Sequence, residues 1–172
     1  MRETTADLEA LQRLLDESDA NAGEHLKSIF GGPNRMTATD LADKLGGIFE
    51  MNLACLTGDG SPVVAPIDAI LLHGKVFFGV PAQAVRTKLL RRDQRVSMSY
   101  TDGSFGLIVH GVAVPVADDS VQGLEFEEVA KELYVALYGP GWLTFYEELK
   151  RKNAGKTGFA GYIEPRAMFA KR

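Results

Sequence analysis

The side chains with the clearest capacity for chemistry lie between residues 86 and 95. Arg86, Lys88, Arg91, Arg92 and Arg95 stand there against one acid, Asp93. Cations at this density suit a phosphate, which they hold through charge-assisted hydrogen bonds that arginine can make in pairs. A helix starting just after Val80-Pro81 would add free backbone N–H groups at its positive end. Arg86 and Lys88 are the cations nearest that start. Residues two apart do not share a helix face, so both reach one phosphate only if Arg86 lies in the irregular lead-in or their long side chains converge. A solvated helix face is the alternative reading. A nucleic-acid groove would need a longer basic track with aromatic platforms, and this run supplies neither.

Other reactive residue types are scattered. His25, His73 and His110 fall on a helical segment, a turn and a strand, without ligand spacing, so no metal site is expected. HExxH, the Walker loop, GxSxG and GxGxxG are all absent. Cys55 is the only cysteine and sits in the apolar stretch NLACLT, where it reads as a small hydrophobe. Asp68 interrupts an apolar strand directly after Pro66-Ile67, and its plain reading is an outward-facing strand residue. Tyr100, Asp68 and His110 are the candidate proton donors.

These residues need a scaffold, and periodicity outlines one. The first 45 residues read as helical and peripheral, with Leu8, Leu11, Leu14 and Leu15 on one face and a break at Gly31-Gly32-Pro33-Asn34. Thr37 and Asp40 form a helix-start signature, and Gly46-Gly47 ends that helix. Strand signals then follow over 48–57, 63–72, 75–79, 95–100 and 107–116, with turns at Gly58-Asp59-Gly60, His73-Gly74 and Asp102-Gly103. A helix over 83–92 separates the third strand from the fourth. Residues 125–137 and 142–152 are helical around Gly139-Pro140-Gly141, and the apolar face of the first holds Phe126, Val129, Ala130, Leu133 and Leu137. A last strand covers 159–169, broken at Glu164-Pro165. Six strands with short connections fit either a small closed barrel or an open α+β sheet.

Composition sets the outer bounds. The chain has 172 residues, 45% hydrophobic and 24% charged, with a net charge of −4, close to an ordinary globular protein. A mildly acidic surface does not coat nucleic acid or an anionic membrane. No apolar run approaches the roughly 20 residues that span a bilayer, and the N-terminus has no secretory pattern, so a cytoplasmic location is expected. The 18 glycines exceed the usual share and point to tight turns or close backbone approach.

The stretch NLACLTGDGSPVVAPIDAILLHGKVFFGVPAQAVRTKLLRRDQRVSMSY, followed by LIVHGVAVPV, resembles the pyridoxamine 5'-phosphate oxidase-like split-barrel proteins. The likeness is carried by Thr57-Gly58-Asp59-Gly60, by Pro62 and Pro66, by Leu90 to Val96, and by Gly111 within its strand. It covers residues 45 to 118 and extends loosely to Trp142 and the last strand. Leu89 and Gln94 depart from the asparagine and proline common at those positions. The tail FAGYIEPRAMFAKR lacks the family's substrate histidine, so vitamin B6 oxidation is not the expected reaction.

The resemblance implies a mainly β fold with accessory helices, a split β-barrel. An N-terminal helical extension would occupy 1–45 and the cofactor-binding barrel 46–172, with helices at about 123–152. It implies a flavin-dependent oxidoreductase acting on a small molecule through FMN at a homodimer interface. An F420-dependent reductase of the same fold, or a flavin- or haem-binding module without turnover, are the alternatives, with haem disfavoured as the cofactor. The implied cofactor-binding residues are Val64, Ala65, Pro66 and Ile67 along the ring, Phe78 and Gly79 on the next strand, and Arg86 and Lys88 at the phosphate. Ser97, Ser99 and Trp142 would contribute near the dimer interface. No side-chain catalytic set is needed on this reading, because the reactive atoms belong to the cofactor.

Overall fold

The computed structural model describes residues 2–172. Three helices lead the chain: α1 (Thr5–Asn21), α2 (Glu24–Phe30) and α3 (Ala38–Lys44). The strands β1 (Ile48–Leu56), β2 (Pro62–Leu72) and β3 (Lys75–Val80) follow, then helix α4 (Val85–Arg92). Strands β4 (Arg95–Asp102) and β5 (Phe105–Pro115) precede a helical pair, α5 (Val121–Tyr138) and α6 (Gly141–Lys152), and β6 (Phe159–Lys171) ends the fold. All six strands pair antiparallel in the order β1-β2-β3-β6-β5-β4, and β4 returns to β1. The choice between barrel and open sheet therefore resolves to a closed barrel, which leaves no long strand edge to aggregate.

Alternation along the strands sorts core from surface. Phe49, Met51, Leu53 and Cys55 of β1 point into the barrel, whereas Glu50 and Asn52 face out. Phe78 stacks on Phe159 inside, with ring centroids 5.4 Å apart. The leading helices join this same core: Leu11, Leu15, Leu41 and Leu45 are buried in one cluster with Met51, Leu53 and Val109. They are therefore packed against the barrel rather than peripheral to it. Capping boxes start two of them, Thr4 with Asp7 and Thr37 with Asp40, the second at the place its sequence signature predicts.

The last strand is not broken at Glu164-Pro165. It runs through on a bulge: His110 pairs with Ala167 and Gly111 with Pro165, so Arg166 is the extra residue. Proline tolerates that position because a bulge relaxes the ladder. A Cβ on Gly111 would collide with the Glu164 carbonyl oxygen, so this glycine serves close strand packing.

Helix α5 covers part of the outer face of β2 and β3. Ile70 and Phe77 pair across these strands and point away from the barrel, yet both are buried. Phe126 of α5 lies 5.4 Å from Phe77, and Tyr162 of β6 lies 5.1 Å from it on the same outer face. Ser120 caps α5 by accepting a hydrogen bond from the Gly123 N–H at 3.0 Å, and Gly139, at φ 84°, turns the chain toward α6.

Candidate functional site

A cavity of about 740 Å³ lies between the outer face of β2, β3 and β6 and the α5–α6 pair. Ile67, Asp68, Ile70, Phe77 and Gly79 line its barrel side. Phe126, Tyr134, Trp142, Phe145 and Tyr146 line its helical side. Gly79 leaves the floor bare, since no atom beyond its chain neighbours lies within 4 Å of where its Cβ would be.

Four aromatic rings form a near-parallel stack in the helical pair. Tyr134 and Trp142 are 4.6 Å apart and tilted by 6°, and Trp142 and Tyr146 are 5.0 Å apart and tilted by 16°. Tyr138 extends the stack beyond Tyr134 at 6.1 Å. The four recur every fourth residue, so Tyr134 and Tyr138 share one face of α5, and Trp142 and Tyr146 share one face of α6. Gly139-Pro140-Gly141 folds the two faces together.

Charge at the site is locally balanced. Glu127 of α5 accepts from Lys131 Nζ at 2.7 Å and from Lys150 Nζ of α6 at 3.0 Å. The hydrogen bond from Lys131, assisted by Lys150 against partial burial, holds the Glu127 carboxyl down at about 2. The Tyr134 hydroxyl donates to Asp68 Oδ2 at 2.6 Å. Burial and the neighbouring Asp68 charge both push the Tyr134 phenol far above its ordinary value, so it keeps its proton. Asp68 is thus an outward-facing strand residue with a specific partner.

The residues singled out in the sequence fall into three places. Ile67, Gly79 and Trp142 line the cavity. Val64, Pro66, Ser97 and Ser99 sit on the outer barrel face across β2, β1 and β4, where Ala54 pairs with both Val64 and Ser97 and Asn52 with both Pro66 and Ser99. Ser97 Oγ lies 2.8 Å from His110 Nδ1 on this face. Phe78 is fully buried inside the barrel, because alternation turns Phe77 outward and Phe78 inward. Ala65 shares its inward register with Leu53.

The basic run is spent largely on the protein's own carbonyls. Arg86 Nη1 donates to Ala65 O and Pro66 O, both at 3.0 Å. Arg91 reaches Thr157 O at 2.6 Å, and Arg92 reaches Leu56 O at 2.7 Å. Arg95 pairs with Asp93 at 2.6 Å. Lys88 is exposed and forms no ion pair with a described residue. Arg86 and Lys88 consequently differ: the first clamps α4 to β2, and the second is the uncommitted cation. Cys55 is buried, and desolvation pushes its thiol up. Among the described residues no group of three or more His, Cys, Asp or Glu side chains is placed to hold a metal ion.

No family model and no curated protein matches this sequence. Solved structures do match. The conserved hypothetical protein Rv2991 of Mycobacterium tuberculosis superposes with a TM-score of 0.62 at 22% identity, over 80% of this chain and 86% of that one. HutZ, the haem storage protein of Vibrio cholerae, gives a TM-score of 0.53 at 17% identity, over 71% and 85%. A FAD-binding protein from Mesorhizobium loti gives 0.52 at 16%, over 79% and 93%. At these identities the likeness is one of fold. The chain has the pyridoxamine 5'-phosphate oxidase-like split-barrel fold. Split barrels of this shape include proteins named for flavin binding and for haem storage. The expectation that haem is disfavoured is therefore corrected, because HutZ carries a haem name on the same barrel. Among the described residues no helix of this split barrel is long and apolar enough to cross a membrane.

The sequence reading missed Phe77, Phe126, Glu127, Tyr134 and Tyr146. One signal for Tyr134 and Tyr146 was available: tyrosine or tryptophan at 134, 138, 142 and 146, a four-residue period that runs through a glycine-proline turn.

Proposed function

We propose that this chain is a cofactor-binding module that holds a planar conjugated ring, of the flavin or haem class, between the outer barrel face and α5–α6. The observation that supports this reading is the aromatic cavity of about 740 Å³ over the bare Gly79 floor. Its size falls in the range of small-molecule sites, and apolar walls with a few polar groups suit a conjugated ring. Phe77, Gly79 and Trp142 would flank the ring. Asn153 and Lys156, on the cavity lining, are polar groups on offer to a phosphate or propionate tail. A bound flavin supplies hydride or electron transfer, and a bound haem supplies iron.

The Asp68–Tyr134 pair favours a second reading, in which the module turns over as a flavin- or F420-dependent oxidoreductase. Tyr134, whose one O–H is spent on Asp68, can accept a hydrogen bond from a substrate and so orient it at the cavity wall. A second copy of the chain would complete the site on either reading, as a homodimer. The exposed apolar side chains on the cavity lining, Phe145 and Leu149, support such closure.

Titration of the purified protein with FMN, F420 and haemin tests the proposal, followed through Trp142, the one tryptophan. Saturable quenching with one equivalent of at least one of them is expected. Absence of saturable binding by all three would remove the reading.

A further inference from the structure

His73 occupies the turn between β2 and β3, at φ 53°, a backbone region that few residues other than glycine adopt. Its ring lies between two helices. Nδ1 is 3.2 Å from Asp7 Oδ2 of α1, and Nε2 is 2.9 Å from Glu125 Oε1 of α5. Both partners are carboxylates, which when ionised can only accept. A neutral imidazole has one N–H, so bridging two acceptors requires the doubly protonated ring. The two carboxylates sit on opposite ring nitrogens, which precludes a single metal ion bound by all three groups.

We propose that His73 is a protonation latch that ties the N-terminal end of α5 to α1 and the β2–β3 turn, and releases that end when it loses its proton. Glu125 is followed by Phe126 and Glu127, both of which line the cavity, so release loosens one cavity wall. That consequence rests on the cavity being the binding site proposed above; the latch itself does not.

The groups facing His73 are Asp7 and Glu125, and Asp7 also accepts from the Thr4 N–H at 2.9 Å and its hydroxyl at 2.8 Å. Partial burial opposes the charge on His73, but the hydrogen bonds and charges of Asp7 and Glu125 outweigh it, and its pKa lies above the ordinary value. The sign follows from linkage. The latch is fully formed below the unfolded-state value of about 6.5 and is lost as pH rises through the raised folded value.

The test uses the protein alone, with no cofactor. His73 is titrated by NMR, and amide-exchange protection of residues 121–138, corrected for intrinsic rates, is measured from pH 5.5 to 9. A severalfold fall in protection at the N-terminal end of α5, with its midpoint at the His73 titration, is expected. His73→Asn keeps a side chain that tolerates the left-handed backbone but carries no charge, and should hold protection at the high-pH level throughout. Glu125→Gln should shift the His73 titration downward. Protection of α5 that ignores pH in the natural sequence, or the same pH dependence in His73→Asn, overturns the latch. Because no ligand is present, failure of the cofactor proposal leaves this outcome unaffected.

Discussion

Leucine in place of Gly79 puts four carbon atoms into the cavity from its floor while leaving the barrel room to fold. The Cβ meets nothing within 4 Å beyond its chain neighbours, and Gly79 has no left-handed backbone to lose. A glycine within a strand costs about 0.5–1 kcal/mol relative to alanine, so the variant should be as stable as the parent or better by up to that amount. Binding should move the other way. A ring packed on the floor must shift or strain against the new side chain, at an overpacking cost of about 1–3 kcal/mol. At a factor of ten per 1.4 kcal/mol, this corresponds to a roughly 5- to 150-fold loss of affinity. Trp142 quenching gives the affinity, and urea unfolding gives the stability. Unchanged affinity in a folded Gly79→Leu protein would falsify the placement of the ring over the outer face of β3. A stability loss of about 2 kcal/mol or more would instead contradict the open floor.

Other expectations follow from the same geometry. Arg86→Ala should lower stability by about 1–2 kcal/mol, because two charged hydrogen bonds to Ala65 and Pro66 carbonyls are lost at a partly screened site, whereas Lys88→Ala should stay within about 0.5 kcal/mol. Equal effects in denaturant melts would contradict that division of roles. The lowered Glu127 pKa contributes stability that is fully present above its ordinary value of 4.5 and is lost as pH falls toward about 2. Glu127→Gln should accordingly flatten the acid limb of the stability profile across that window, and an unaltered limb would refute the Lys131–Glu127–Lys150 bridge. Gly161→Ala should destabilise by about 3 kcal/mol or more, since its Cβ would strike the Val114 carbonyl oxygen between paired strands. A thermal midpoint within a degree or two of the parent would contradict the close approach of β5 and β6.

The succession of strands was readable because its local signals agree, whereas closure into a barrel was not, since the same strands fit an open sheet. Apolar alternation in Ile48–Leu56 and turns at Gly60, His73-Gly74 and Gly103 mark strand, turn and strand in the observed order. Strand edges moved by at most two residues, as at β5, which begins at Phe105 rather than Leu107. Proline misled at Pro165, where a bulge lets the strand continue. The helical pair was also readable, but its burial was not. Leu137 belongs to the expected apolar face of α5 and is exposed, while Tyr134 faces the cavity. Helical periodicity gives the apolar stripe but not the surface that covers it. Likewise the basic run was visible as charge, but charge density carries no direction. Arg86, Arg91 and Arg92 turn to carbonyls of β2, of the loop before β6 and of the end of β1 only because α4 is seated beside them. The cavity joins elements far apart in sequence, β2 and β3 with α5 and α6, and no local pattern encodes that juxtaposition.

The central claim is that a planar cofactor lies between the barrel and the α5–α6 stack. A crystal structure grown with whichever of FMN, F420 or haemin binds most tightly tests it most directly. Ring density against Gly79 and Phe77 on one side and Trp142 and Tyr134 on the other is the predicted result. A ring bound instead on the outer face carrying Ser97 and His110, with only solvent beneath α5–α6, would contradict it.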